Sequence, residues 1–135
     1  MKDACDLNLP EHVRYAGDHE WICVNPPHLV GISDYAQDRM GDLTFIELPE
    51  PGARVAKGDE FGTLESTKSV SSMYSPVDGR IKAVNEALSN DPGLPNRDPY
   101  GQGWIIEIEP DDLAQINALM DLTAYRKYLE KGEKV

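Results

Sequence analysis

The stretch that decides the fold lies at the middle of the chain and reads Glu65-Ser66-Thr67-Lys68-Ser69-Val70-Ser71-Ser72-Met73-Tyr74-Ser75-Pro76-Val77-Asp78-Gly79. Residues 60–65 alternate apolar and polar side chains, which is typical of a half-buried strand. On the other side, residues 76–79 combine a proline and a glycine in the pattern of a tight turn. The pattern predicts a β-hairpin with Lys68 at its tip.

The rest of the chain has the pattern of many short strands with turns at close intervals. Strands are predicted at residues 21–24, 29–32, 43–48, 61–65, 79–84 and 104–108. Ser33 or Asp34 can cap a short helix that runs to Arg39 and ends at Gly41. The sequence therefore predicts a mainly β fold with few and short helices.

The C-terminal segment changes to a helical period. Its apolar residues Leu113, Ile116, Leu119 and Met120 would share one helical face. Thr123 could cap a second helix over residues 124–130, with its apolar side packed on the strands. We expect a helical C-terminus.

Composition indicates one acidic domain. The chain has 135 residues, and 13 basic against 24 acidic side chains give a net charge of −11. This balance argues against a nucleic-acid partner. No apolar run is as long as a membrane span and no signal-peptide core is visible, so we expect no membrane partner and a cytoplasmic location. We also expect a monomer.

Metal binding and acid–base catalysis are poorly supported by the sequence. Cys5, His12, His19 and Cys23 are separated by six, six and three residues and lack a tight Cys-x-x-Cys pair. His19 lies beside Glu20, but no nucleophile is spaced to join them. We predict no metal site and no catalytic residues.

The segment around Lys68 resembles the lipoylation site of the glycine cleavage system H protein family, a family of lipoyl carriers. Its pattern, Glu-Ser-x-Lys and then Ser-Pro-x-x-Gly, is matched by Glu65, Ser66, Lys68, Ser75, Pro76 and Gly79. Further blocks resemble the family at residues 14–21, 30–38, 41–52, 84–88 and 96–104. The resemblance runs from about residue 13 to residue 108 and covers most of the chain.

The resemblance implies a fold and a cofactor. It implies a lipoyl/biotinyl-type flattened barrel-sandwich of two antiparallel sheets, with an N-terminal extension (1–12), a carrier domain (13–110) and C-terminal helices packed on it (111–135). It also implies lipoate covalently attached to Lys68, as a swinging arm on a carrier that is not an enzyme. Glu65 and Ser66 are candidates for recognition by the lipoylating enzyme, a ligase or transferase. Glu20 is a candidate for sheltering the loaded arm, and so is Ser72.

Other carrier families fit less well. Biotin carriers place their lysine between methionines, whereas Thr67 and Ser69 flank Lys68. Lipoyl domains of 2-oxo-acid dehydrogenases favour Asp-Lys-Ala and lack the blocks around Trp21 and Tyr100.

The resemblance implies several pathways, of which glycine cleavage stands first on overall resemblance. Glycine cleavage would use aminomethyl transfer, with glycine decarboxylase, aminomethyltransferase and dihydrolipoamide dehydrogenase as partners. The family commonly has an acidic residue where this chain has Ser72, and Cys5 and Cys23 lie outside its usual pattern. These departures favour an H-like lipoate-binding protein that carries sulfur to a heterodisulfide-reductase-like complex in bacterial sulfur oxidation. Lipoate relay is a third function, and an unmodified interaction module a fourth.

Overall fold

The computed structural model describes residues 9–133. Within them, short strands form two antiparallel sheets. The strands are β1 (Val13–Tyr15), β2 (Glu20–Cys23), β3 (Leu29–Ile32), β4 (Leu43–Glu47), β5 (Arg54–Val55), β6 (Glu60–Ser66), β7 (Val70–Tyr74), β8 (Gly79–Val84) and β9 (Ile106–Pro110). The helices are α1 (Asp34–Met40), α2 (Leu94–Arg97), α3 (Leu113–Asn117) and α4 (Leu122–Glu133), with a 3-10 helix at Glu86–Ser89.

The two sheets differ in size. The larger sheet has the strand order β1-β2-β3-β9-β8-β5, and the smaller has the order β4-β6-β7. All their strand pairs are antiparallel. The predicted mainly β fold of two antiparallel sheets is confirmed, as a flattened sandwich rather than a closed barrel.

The first helix forms where the sequence predicts it. Ser33 is its N-cap, and its hydroxyl accepts a hydrogen bond from the Ala36 amide at 3.2 Å. Gly41 ends the helix with φ of +77°, a left-handed conformation in which a β-carbon is strained. This glycine brings the chain from α1 into β4, next to the β6–β7 hairpin.

Two apolar clusters hold the sandwich together. The larger lies between the sheets and includes Ile22, Val30, Ile46, Leu64, Met73, Val77, Ile81 and Ile106. The smaller joins β1 and β2 to α4 through Val13, Tyr15, Trp21, Tyr125 and Leu129. The rings of Tyr15 and Tyr125 stack with centroids 4.2 Å apart. The last helix therefore packs on the strands through aromatic side chains.

The C-terminal segment differs from the predicted helices. The structure ends α3 at Asn117, and Met120 instead pairs with Tyr15 through two backbone hydrogen bonds. The predicted cap of the last helix is also wrong. The Ala124 amide donates to the Asp121 carboxylate at 2.9 Å, and α4 begins at Leu122. The spacing of the apolar residues predicted a helical face that includes Met120. The pairing of Met120 with Tyr15 of β1 is a long-range contact, so no local sequence pattern indicates it.

The last strand lies two residues later in the chain than predicted. It begins at Ile106 rather than at Trp104. The Asn85 side-chain amide donates to the backbone carbonyls of Gln102 and Trp104, both at 2.8 Å, which holds this segment as a loop. None of the helices within residues 9–133 has the length and hydrophobicity of a membrane span.

Candidate functional site

Lys68 lies on the exposed turn between β6 and β7. The turn is stabilised by Ser66, whose hydroxyl accepts hydrogen bonds from the amides of Lys68 at 3.3 Å and Ser69 at 3.2 Å. The Ser66 amide in turn donates to the Ser69 carbonyl at 2.9 Å. A serine at this position therefore shapes the turn, because its side chain and backbone replace the missing strand partners.

The end of α1 forms a platform beside the Lys68 side chain. A β-carbon at Gly41 would stand 3.3 Å from Lys68 Cε and 3.7 Å from its Nζ. Asn96 holds this segment in place, because its amide group donates to the Gly41 carbonyl at 2.9 Å and its oxygen accepts from the Leu43 amide at 2.9 Å. The missing β-carbon at Gly41 therefore leaves space for the methylene groups of Lys68, and the hydrogen bonds of Asn96 hold the Gly41 backbone in position.

A cleft of about 160 Å³ lies between α1, the β6–β7 hairpin and the turn before β2. Its walls combine apolar and polar side chains: Tyr35, Arg39, Met40, Leu64, Ser71, Ser72, Met73, and Asp18, His19 and Glu20. Met40 and Gly41 are adjacent in the chain, and the Ser69 hydroxyl lies 3.6 Å from Met40 Sδ. The hairpin turn that bears Lys68 therefore packs against one wall of the cleft.

Glu20 is the buried carboxyl group of the cleft, with a relative exposure of 2%. Its Oε2 accepts a hydrogen bond from the Tyr74 amide at 3.2 Å, whereas the buried Oε1 has no partner among the described residues. Burial raises the pKa of Glu20 from 4.5 to about 8, and the hydrogen bond from Tyr74 opposes that rise. At neutral pH the carboxyl is mostly protonated and can ionise if a cation approaches.

The cleft rim is built around His19, which adopts a positive φ of 75°. Its Nδ1 lies 2.8 Å from the Tyr125 hydroxyl, and that hydroxyl lies 2.7 Å from the Ser33 hydroxyl. Burial lowers the pKa of His19, so the imidazole is neutral at pH 7. These contacts connect the cleft rim to the cap of α1 and to α4.

The cleft also contains a cation at its rim. The Arg39 guanidinium lies 4.5 Å from the centroid of the Tyr35 ring, and its Nη1 lies 3.3 Å from the Asp38 carboxylate. Stacking on an aromatic face and an adjacent carboxylate orient this side chain. The cleft therefore presents a buried carboxyl group and a partly exposed cation.

Of the two cysteines, the structure describes Cys23, because Cys5 lies outside the described residues. Cys23 is a half-buried free thiol whose pKa is raised by burial. Within residues 9–133 no group of three or more His, Cys, Asp or Glu side chains could hold a metal ion.

A model of the glycine cleavage H-protein family matches residues 13–132 of this chain. The chain belongs to this family. Glycine cleavage system H proteins of Myxococcus xanthus and Listeria monocytogenes serotype 4b are 45% and 44% identical to it, over 93% and 92% of this chain and 98% and 100% of their own length.

A solved structure supports the same assignment. The crystal structure of a glycine cleavage system H protein from Mycobacterium marinum is similar with a TM-score of 0.81 and 36% sequence identity. The similarity covers 93% of this chain and 99% of that chain. The family resemblance inferred from the motifs is therefore confirmed, and so is the mainly β fold of two antiparallel sheets.

In this member of the H-protein family, the predicted site residues lie in three places. Lys68 and Ser66 form the turn, and Glu20 and Ser72 line the cleft. Glu65 does not line the cleft and instead lies on β6, opposite Phe45 and Val70 of the neighbouring strands.

Sequence reasoning missed three kinds of contact. These are the contact of Gly41 with the Lys68 side chain, the hydrogen bonds of Asn96 to the Gly41–Leu43 segment, and the hydrogen bonds of the Tyr125 hydroxyl. Asn96 does lie in a block that carried the resemblance. Its contacts with Gly41 and Leu43 span 55 and 53 residues of sequence, so no local pattern signals them.

Proposed function

We propose that this chain is a lipoyl carrier without an active site of its own, with lipoate attached to Lys68 as a swinging arm in glycine cleavage. One observation carries the proposal. The exposed Lys68 turn packs beside a cleft that contains a buried carboxyl, Glu20, with one unpartnered oxygen. A buried polar atom without a partner costs about 1–3 kcal/mol, so a carboxyl oxygen that has none among residues 9–133, in the wall of a cleft, indicates a ligand group that binds there.

The residues around Lys68 fit an arm joined to the lysine amine. The lysine is exposed, and the missing β-carbon at Gly41 leaves space along its stem. The lipoyl group, when attached, supplies a strained disulfide that can be opened so that one sulfur carries a cargo. The protein supplies the tether, and tethering raises the effective concentration of the cargo at each partner.

Glu20 would receive the amine of an aminomethyl cargo. A nearby ammonium favours the charged form of a carboxyl, so binding would lower the pKa of Glu20 from about 8 and release a proton at neutral pH. The resulting charge-assisted hydrogen bond would use Oε1, which has no partner among the residues that the structure describes. Apolar walls from Met40, Leu64 and Met73 would exclude water from the cargo.

The partners follow from this role. Glycine decarboxylase would load the arm, aminomethyltransferase would unload it, and dihydrolipoamide dehydrogenase would reoxidise it. A lipoylating enzyme must first modify Lys68.

A second candidate function is supported by Ser72 and Arg39. Ser72 lines the cleft where the family commonly has an acidic residue, so the cleft has one negative charge fewer for an ammonium. Arg39 lines the same cleft and would suit an anionic sulfur cargo. The carrier would then serve a heterodisulfide-reductase-like complex.

Intact mass spectrometry of protein from lipoate-fed cells tests the proposal. We expect a lipoyl adduct in the wild type and in Lys57→Arg, a matched exposed lysine on another turn, and no adduct in Lys68→Arg. Incubation with glycine and glycine decarboxylase should then add an aminomethyl group. An adduct that stays unloaded with an active decarboxylase would favour the sulfur carrier. No adduct, with a ligase that modifies a control carrier, would refute lipoylation itself.

A further inference from the structure

One face of the small sheet carries an exposed apolar pair close to Lys68. Phe45 on β4 lies opposite Glu65 on β6, which lies opposite Val70 on β7. Residues directly opposite in a sheet present their side chains on the same face. Phe45 is 53% exposed and Val70 is 65% exposed. We call these three residues the outer row.

The outer row faces away from the core. The next pair along the strands, Ile46 and Leu64, is buried in the core at 4% and 3% exposure, so alternation places the outer row on the opposite face. The row ends beside the turn, since Glu65 and Val70 are three residues before and two after Lys68. Whatever enzyme brings its active site to the Lys68 amine from that side meets the outer row.

The charged side chains on the strands of the small sheet are all negative. Strands β4, β6 and β7 contain Glu47, Glu60 and Glu65 and no lysine or arginine, and among residues 9–133 these carboxylates form no ion pair. The larger sheet is different, because three of its basic residues pair with carboxylates: Arg54 with Asp111, Arg80 with Glu109 and Lys82 with Glu107. The small sheet therefore has an uncompensated negative charge next to exposed apolar groups.

We infer that the outer row is the docking surface of the enzyme that lipoylates Lys68. The matching surface is an apolar depression for Phe45 and Val70 with a lysine or arginine opposite Glu65. This inference rests on the proposed function. In the reaction, lipoate and ATP form an acyl-adenylate with loss of pyrophosphate. The Lys68 amine then attacks the carbonyl carbon, the amide bond forms, and AMP and the proton of the amine leave.

Binding and modification of the unmodified full chain test this inference. The probe is a purified ATP-dependent bacterial lipoate–protein ligase. Its kcat/KM is followed by intact mass, and its Kd is measured on the same variants in a Lys68→Arg background that cannot react. We expect Phe45→Thr to lower kcat/KM and to raise Kd, each about tenfold, as for truncation of a buried interface anchor. Val70→Thr should change both quantities in the same direction by several-fold. Glu65→Gln should weaken binding and flatten its salt dependence.

Matched controls separate docking from general effects. Leu113→Thr removes an apolar side chain that is 56% exposed on α3, and Glu60→Gln removes a carboxylate at the far end of β6. Both should behave as the wild type, and all variants should melt as it does.

Four results would overturn the inference. Outer-row variants within twofold of the wild type would refute docking while Lys68 modification, and with it the proposed function, stands. An equal loss in Leu113→Thr would do the same. Loss of glycine decarboxylase binding with unchanged ligase binding would assign the row to the loading partner. No modification of the wild type would refute the proposed function as well.

Discussion

The buried carboxyl of Glu20 makes the stability of the unmodified protein depend on pH. In the folded protein its pKa is about 8, against 4.5 for the free side chain. The folded state therefore holds a proton that the unfolded state releases between these two values. The free energy of unfolding falls as pH rises through this range, because the unfolded chain then binds fewer protons than the folded one.

The size of the loss follows from the shift. At 1.36 kcal/mol per pKa unit, the full difference corresponds to about 4–5 kcal/mol, of which about 3–4 kcal/mol falls between pH 5 and pH 8. Glu20→Gln keeps a neutral group that can accept from the Tyr74 amide, and it does not titrate. We expect the free energy of unfolding of Glu20→Gln to exceed that of the wild type by about 4 kcal/mol at pH 8, and by much less at pH 5.

Urea unfolding of the two proteins between pH 5 and pH 9 measures this difference. Glu60→Gln, at an exposed position, is the control for loss of one charge. The NMR titration of the Glu20 carboxyl carbon should have its midpoint near 8. Parallel stability curves for wild type and Glu20→Gln would refute the reasoning, because they would mean that the carboxylate is solvated or paired in the folded state.

Three other predictions concern the surroundings of the cleft. Gly41→Ala should destabilise the fold by about 1–2 kcal/mol, since φ is +77°. It should also slow lipoylation, whereas Gly58→Ala, with φ of +89° and open space, should cost similar stability and leave modification unchanged. Asn96→Ala removes three side-chain hydrogen bonds and should cost about 2–4 kcal/mol in urea unfolding; a cost under about 0.5 kcal/mol would show that the clamp is dispensable. Tyr125→Phe removes the hydroxyl that bridges the cleft-rim histidine and the helix cap and should cost about 1–3 kcal/mol, against less for the exposed Tyr128→Phe. Equal melting temperatures for these two variants would contradict the bridge.

The proposed carrier role connects these predictions. Glu20 destabilises the empty protein as pH rises, and an ammonium cargo would relieve that cost by stabilising the ionised carboxyl. Binding of the cargo should therefore raise the stability of the loaded protein most at pH values near and above 8.

The sequence alone determined the local structures of this protein. The turn at Lys68 follows from polar residues between two alternating segments, and the first helix follows from Ser33 at its start and Gly41 at its end. These features depend on residues within about one turn of each other, so short-range propensity and spacing predict them. The ordered motifs around Lys68 also predicted the family.

Only the tertiary structure decided how the site is assembled. Glu20 and Ser72 meet in one cleft although more than a third of the chain separates them, and Asn96 fixes Gly41 from 55 residues away. The pairing of Met120 with Tyr15 likewise overrode a helical period. Long-range pairing and burial set these contacts and the pKa of Glu20, and neither leaves a periodic trace in the sequence.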